Sequence, residues 1–468
     1  MITLPGYQGK KVGVFGLGLS GRATVDALIA AGAHVVAWDD GEAARNAIGP
    51  KADVAPIDAW PWERLDALAL SPGVPHTHPK PHKVAAKAKA AGVRILGDTE
   101  LFAQAVNAAP AADRPKIIAV TGTNGKSTTT ELIGHLLRAA GVDVRVGGNI
   151  GTACLALPPL RRGAVYVLEM SSYQLELTHS LKADVAVFLN LSPDHLDRHG
   201  GLAGYIAAKR RIFNHQGEGD VAIIGADDLV SQQICTEIVA TNHRTIIPIS
   251  SGAALGRGVF ALDGVLFSSI DGRASEVVDL TSAATLRGAH NWQNAAAAFA
   301  AAHAIVPNAE TLGGAMGSFS GLPHRLQEVA RIGAVTYVND SKATNAEAAS
   351  HALKAFPKVR WIAGGVPKAE GIEPLKPLMD RVEKAYLIGE AAEAFQTTIG
   401  DAAPVQLCGD LASAVRAAAA DAVKAGGDQV VLLSPACASF DQFPNFEARG
   451  EAFCAAVRAL PTQNGAAA

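Results

Sequence analysis

Residues Gly122–Thr130 read GTNGKSTTT, directly behind the apolar run Ile117–Val120 and ahead of the helical pattern Glu131–Ala140. A strand feeding a glycine-rich turn and then a helix is what a phosphate cradle needs. Glycines let backbone N–H groups close on the anion, and the helix N-terminus adds positive dipole. Gly122, Thr123, Asn124, Gly125, Lys126, Ser127 and Thr128 are therefore the candidate nucleotide contacts. Lys126 would reach the terminal phosphates and Ser127 would set its hydroxyl on a magnesium ion. Val120 stands where the pattern G-x-x-x-x-G-K-[ST] has its first glycine, so this turn is a shortened variant. The plain alternative is a strand–turn–helix corner with a solvated lysine. The crowding of threonine, asparagine, lysine and serine into one turn speaks against it.

A chain of 468 residues is too long for one ordinary core and suits two to four domains. Its net charge of -3 supplies no basic field for nucleic acid. The five cysteines, Cys154, Cys235, Cys408, Cys437 and Cys454, are few, odd in number and scattered, which predicts reduced thiols rather than a disulfide framework. No charged-then-apolar leader is legible, and the longest apolar stretch, Ala295–Val306, is alanine-rich and interrupted by His303. A cytoplasmic protein without a membrane partner is expected.

Three blocks of alternating strands and helices follow one another. The first begins with a strand at Lys10–Phe15, a glycine turn at Gly16–Gly21, a helix at Arg22–Ala31 and a strand at His34–Trp38. Asn107–Pro115 lacks an apolar face and reads as a linker. The second block has further strands at Ala164–Leu168, Ala183–Leu189 and Asp220–Ile224 and closes with a helix at Asn291–Ile305. After Gly321-Leu322-Pro323, strands are expected at Val335–Val338, Arg360–Ala363, Lys384–Ile388 and Gln429–Leu433. The predicted fold class is α/β in three domains: a Rossmann-like N-terminal domain, 1–106; a central P-loop ATPase-like domain, 107–322; and a Rossmann-like C-terminal domain, 323–460, with a tail, 461–468.

In GLGLSG, Gly16, Gly18 and Gly21 fit G-x-G-x-x-G, and Asp39 ends the next strand where a ribose-binding carboxylate would sit. By itself this suits any diphosphate-bearing ligand, or only close packing of helix on strand. A nicotinamide dehydrogenase would need no second phosphate cradle, so two phosphorylated ligands are the better reading. Glu169, at a strand end in LEMSSYQLE, is a candidate magnesium ligand. In NLSPDHLDRH the ionisable groups Asp194, His195, Asp197, Arg198 and His199 gather past a strand's carboxyl end, the edge where open parallel sheets bind ligands.

These motifs occur with SPGV at Ser71–Val74, GNIG around Asn149, Lys209 in GYIAAKRRIF, HNWQN at His290–Asn294, GLPHR at Gly321–Arg325, NDSKATN at Asn339–Asn345 and SPACASFDQFPNFEARG at Ser434–Gly450. In that order they resemble the ATP-dependent Mur ligases of peptidoglycan synthesis over nearly the whole chain, and among these the D-glutamate-adding branch. The resemblance implies ATP-driven amide formation through an acyl phosphate, with UDP-N-acetylmuramoyl-L-alanine and D-glutamate as substrates. It implies that Leu19, Ser20, Asp39, Ser71, Gly73 and Asn149 meet the UDP-sugar, and that Asn294, Arg325 and Asp340 join the P-loop in holding ATP. Lys342, Thr344, Lys368, Ser439 and Phe446 are the implied D-glutamate pocket. Lys126, His195 and Lys209 are the implied catalytic residues. Two magnesium ions are expected, on Ser127, Glu169, His195 and Lys209, the last as a carbamate formed with carbon dioxide. A monomer is expected. Relatives often carry threonine and arginine after the strand-two acid, where this chain has Asp40 and Gly41. A folate polyglutamate synthase is the nearest rival, disfavoured by the nucleotide-type first block.

Overall fold

The protein is described by a computed structural model over residues 1–241, 244–286, 288–367 and 371–461. Its strands form three sheets. The first contains β1 (Lys11–Phe15), β2 (His34–Trp38), β3 (Asp53–Val54), β4 (Ala67–Leu70) and β5 (Arg94–Leu96), all parallel, in the order β3-β2-β1-β4-β5. The order reverses between β1 and β4, and there the glycine turn after β1 meets the loop after β4. A Cβ at Gly16 would stand 2.4 Å from Cβ of Ser71, so only glycine lets the two loops close on one another.

The second sheet comprises β6 (Lys116–Thr121), β7 (Val144–Gly148), β8 (Val165–Glu169), β9 (Val185–Phe188), β10 (Val221–Gly225), β11 (Thr245–Ser250), β12 (Val259–Leu262), β13 (Val265–Ser268) and β14 (Ser275–Asp279), in the order β14-β13-β12-β11-β10-β9-β6-β8-β7. Only β13 runs against the others, pairing antiparallel with both β12 and β14 at one edge. Ile118, Val120, Val167 and Val187 are fully buried, as strands covered on both faces must be. The helices Lys126–Ala139 and Ala289–His303 pack on this sheet and on each other. The buried row Ala295–Ala302 carries no side chain beyond Cβ except Phe299, which lets the second helix lie close to the first.

The third sheet holds β15 (Gln327–Ile332), β16 (Val335–Asn339), β17 (Val359–Gly364), β18 (Val382–Ile388), β19 (Val405–Gly409) and β20 (Gln429–Leu433), in the order β15-β16-β20-β17-β18-β19, with β15 alone antiparallel. By contacts the chain divides into two compact units, Met1–Phe319 with the first two sheets and Ser320–Ala468 with the third.

The local expectations needed adjustment at helix ends. The first helix begins at Leu19, not Arg22, because extended Gly18 caps it and Gly21 enters its first turn. The P-loop helix begins at Lys126, since Ser127–Thr130 are buried and continue the inward face ahead of Glu131. The helix Asp98–Ala108 runs through Asn107, so the linker shrinks to 109–115. Residues 462–468 of the expected tail lie outside the described residues. The five cysteines are free, and no described helix is long and apolar enough to cross a membrane.

A buried latch ties the first region to the second sheet. Glu100, 1% exposed, accepts hydrogen bonds from the backbone N–H groups of His179 (2.7 Å) and Ser180 (2.9 Å), from the Ser180 hydroxyl (2.9 Å) and from Gln104 (2.8 Å). Beside it, the hydroxyls of Thr99 and Thr178 stand 2.6 Å apart. Glu100→Ala would strand two amide donors, and the expected loss is about 3 kcal/mol, the scale of buried charge-assisted hydrogen bonds. Urea unfolding should show an earlier midpoint, with Glu100→Gln intermediate.

Candidate active site

The turn after β6 is built by backbone geometry that side chains would spoil. Gly122 has φ +155° and Gly125 φ +82°, and a Cβ at Gly125 would lie 2.1 Å from Oδ1 of Asn294. Asn294 also accepts from the Thr129 hydroxyl (3.3 Å), so the second helix braces the start of the first. On the other side, the backbone N–H of Asn124 donates to Oδ1 of Asn190 (2.9 Å), and the hydroxyls of Thr123 and Tyr205 stand 3.1 Å apart. Lys126 curls over the turn, its Nζ donating to the carbonyls of Gly122 (3.0 Å) and Thr123 (2.8 Å). Ser127 and Thr128 are buried in the helix's first turn. The nucleotide candidates Gly122–Thr128 and Asn294 are thus together.

Glu169 ends β8 beside this turn and is 2% exposed. Its Oε1 accepts from Nδ2 of Asn149 (2.7 Å), and its Oε2 is buried without a hydrogen-bond partner among the described residues. Lys209, on the helix Leu202–Arg210, is equally buried, with Nζ donating to the Gly122 carbonyl (2.7 Å). Desolvation, reinforced by the positive charge of Lys126, pulls its pKa down to about 7 against the opposing pull of Asp194 and Glu169. His195 sits at the left-handed N-cap of the short helix Leu196–His199 (φ 51°), with Nε2 3.4 Å from Asp194 and its ring 5.1 Å from that of Tyr173.

A magnesium ion fits this donor set. No group of three or more His, Cys, Asp or Glu side chains among the described residues is arranged to hold a metal. Magnesium, however, commonly takes one or two protein oxygens and completes its shell with phosphate oxygens and water. The unpartnered Oε2 of Glu169 and the Ser127 hydroxyl are oxygens of that kind.

At the first sheet's switch point, Asp39 spends both carboxylate oxygens on backbone: Oδ2 accepts from Leu17 N (2.6 Å) and Oδ1 from Gly41 N (2.7 Å). Here it shapes the loop. Leu19 is exposed and Ser20 half-buried in the first helical turn, while Ser71 and Gly73 lie on the facing loop. Arg45, absent from the sequence candidates, reaches back one helical turn to the carbonyls of Asp39 (2.7 Å) and Asp40 (2.9 Å), with its guanidinium 4.4 Å from the Trp38 ring centroid. It returns an arginine to the end of strand two, where Asp40 and Gly41 had seemed to leave none.

In the unit 320–468, Asp340 is buried and accepts from the Ser434 hydroxyl (2.8 Å) and the backbone N–H of Leu326 (3.2 Å). Burial drives its pKa up to about 7, against those hydrogen bonds and the charge of the exposed Arg325. The Lys342 ammonium stands 5.8 Å from the Phe446 ring centroid, Thr344 N donates to the Lys342 carbonyl (2.9 Å), and Ser439 is buried on the neighbouring loop. Lys368 lies outside the described residues. Arg449, which sequence reasoning left inside a motif without a role, is 1% exposed and joins the two segments. Its Nε donates to Ser341 Oγ (3.0 Å) and its Nη2 to the carbonyls of Ser341 (2.8 Å) and Cys437 (3.1 Å).

Comparison with known proteins agrees along the chain. A family profile described as Mur ligase middle domain matches residues 120–302, and one described as Mur ligase, glutamate ligase domain matches 324–437. The UDP-N-acetylmuramoylalanine--D-glutamate ligase of Caulobacter sp. (strain K31) is 60% identical over 98% of this chain and 98% of its own length. The protein of the same name from Rhizobium meliloti (strain 1021) is 47% identical over the same shares, 98% and 98%. Among solved structures, the UDP-N-acetylmuramate-alanine ligase of Thermotoga maritima shares the fold, with a TM-score of 0.59 at 16% identity, covering 96% of this chain and 99% of that one.

Gly125→Ala should leave a folded protein that binds ATP about tenfold more weakly or worse, since a left-handed alanine costs roughly 1–2 kcal/mol and its methyl also displaces Asn294. Calorimetric titration with ATP checks this.

Proposed function

The chain belongs to the Mur ligase family, and on that premise we propose that it joins D-glutamate to UDP-N-acetylmuramoyl-L-alanine, driven by ATP, in peptidoglycan precursor synthesis. The observation that carries the reading is the convergence of Lys126, Glu169 and Lys209 on one turn, in a chain 60% identical over its length to a D-glutamate ligase. Residues 1–106 serve the UDP-sugar, 107–322 ATP and 323–460 the incoming amino acid. The enzyme works as a cytoplasmic monomer.

A carboxylate resists amine attack, so it must first be activated. Lys126 swings from its own loop carbonyls to the terminal phosphates and holds the γ-phosphoryl group while the carboxylate of the alanyl residue displaces ADP. The product is an acyl phosphate. The free amine of D-glutamate then adds to the acyl carbon, and the tetrahedral adduct expels inorganic phosphate as it sheds the amine proton. Two magnesium ions, held by Ser127, Glu169, His195 and carbamylated Lys209, would offset the negative charge gathered on the phosphate oxygens. Asn149 keeps the Glu169 carboxylate turned inward and meets the sugar substrate. Leu19, Ser20, Ser71 and Gly73 receive the uracil nucleotide on the loop that Asp39 shapes. Asn294, Arg325 and Asp340 hold ATP. Lys342, Thr344, Lys368, Ser439 and Phe446 hold D-glutamate.

ADP release measured with UDP-N-acetylmuramoyl-L-alanine should require D-glutamate, with L-glutamate, folate and nicotinamide dinucleotides inert. Release that is equally fast with folate, or without any amino acid, would remove this function. Lys126→Ala should lower turnover by roughly two to three orders of magnitude, the scale of one positioned electrostatic donor.

The carbamate requires a neutral Lys209 amine. With its pKa brought to about 7, about half the amine is neutral at pH 7, against a negligible share for an ordinary lysine near 10.4. The sign follows: carbamate should be lost as pH falls below 7 and should saturate above it. Carbon-13 NMR in labelled bicarbonate should show one protein carbamate with that profile, missing from Lys209→Ala.

A further inference from the structure

The loop between β9 and the helix Leu202–Arg210 carries, besides His195, two side chains for which the reaction above has no use. His199 is fully buried, with Nδ1 2.7 Å from Oε1 of Glu176 and Nε2 2.9 Å from Oγ of Ser172. A carboxylate can only accept, so Nδ1 carries a proton. The ring is packed between Tyr173 (centroids 5.4 Å) and Tyr205 (5.3 Å). Ser172 and Glu176 belong to the short helix that follows β8, three and seven residues beyond Glu169. His199 therefore bolts the His195 loop to the segment that emerges from Glu169.

The preceding residue turns the other way. Arg198 donates from Nη1 to the carbonyl of His78 (2.8 Å) and from Nη2 to that of Pro72 (3.3 Å), and its guanidinium lies 4.8 Å from the Tyr173 ring centroid. Both carbonyls are on the loop after β4, which bears Ser71 and Gly73. The contact is close: a Cβ at Gly200 would lie 2.6 Å from the His78 ring. From the same loop, His76 approaches the second oxygen of Glu176 at 3.8 Å.

We propose that Arg198 and His199 are positioning residues that hold His195, the strand end bearing Glu169 and the loop of Ser71 and Gly73 in one register. The seat of the sugar substrate is thereby tied to the groups that act on its carboxylate. Neither side chain touches a reacting atom; Arg198 acts through two backbone carbonyls and His199 through Ser172 and Glu176. The inference rests on the reaction proposed above for the roles of His195 and Glu169, whereas the linkage itself is a property of the unliganded fold.

The test uses the full chain with Arg198→Ala, His199→Ala and His199→Asn, whose amide reaches where Nδ1 stands. Three quantities are read: ADP release, calorimetric binding of UDP-N-acetylmuramoyl-L-alanine without metal or ATP, and amide hydrogen exchange without ligand. Arg198→Ala should weaken sugar-substrate binding by about tenfold or more, the scale for outer groups that orient a site, with KM for ATP unchanged and faster exchange over 71–80. His199→Ala should lower kcat at saturating substrates by about tenfold or more and speed exchange over 190–201. His199→Asn should recover part of both. Wild-type affinity, kcat and exchange in Arg198→Ala and His199→Ala would overturn the proposal. So would a loss of soluble protein whose folded fraction turns over normally, since that marks a role in stability alone. Should His199→Ala not fold, Arg198→Ala and His199→Asn decide by the same criteria. A wild-type protein that releases no ADP with both substrates would sink the reaction instead, while exchange over 71–80 and 190–201 still reports on the linkage.

Discussion

The carbonyl oxygen of Gly122 accepts from two lysines at once, Lys126 at 3.0 Å and Lys209 at 2.7 Å. Two ammonium groups brought to one acceptor repel each other, which adds to the cost of burying either charge. Burial of Lys209 chiefly, and the charge of Lys126 beside it, bring the Lys209 amine down to about 7. Much of the site follows from this crowding. Gly122, at φ +155°, supplies the carbonyl, and both lysines are held against it.

The crowding persists because the turn is clamped from outside. Asn190 holds Asn124, Tyr205 meets Thr123, and Asn294 fills the space that a side chain at Gly125 would need. These clamps come from β9's loop, from the helix bearing Lys209 and from the alanine-rich helix. The candidate ligand groups thus gather where strand order reverses around β6, the crevice that parallel sheets leave open for ligands.

Much of this was legible in the residue order. Parallel strands buried on both faces are runs of Val, Ile and Leu, so β6, β9 and β20 stood out. The phosphate turn declared itself through glycine and lysine in one short span. Glu169 was visible because its strand ends in an acid. Helix starts were not, since glycine and threonine look like turn residues until packing draws them into the first helical turn, as at Leu19 and Lys126. The hairpin β13–β14 also escaped, being short and set among Gly, Ser and Asp. Nothing local announces that Lys209 is buried, for its neighbours Ala207, Ala208 and Arg210 suit an exposed helix equally well. Arg45, His199 and Arg449 acquire meaning only from partners far along the chain or from backbone carbonyls, which no spacing encodes.

The Lys126 ammonium donates to the carbonyls of Gly122 and Thr123. The cation is thereby folded back onto the turn that carries it. An incoming anion must compete for that ammonium. A small anion offering one charged group would only exchange these contacts for others. A ligand that also reached the N–H groups at the helix N-terminus would gain contacts beyond those of the lysine. Whatever this lysine is to hold must therefore offer it more than two carbonyls already do.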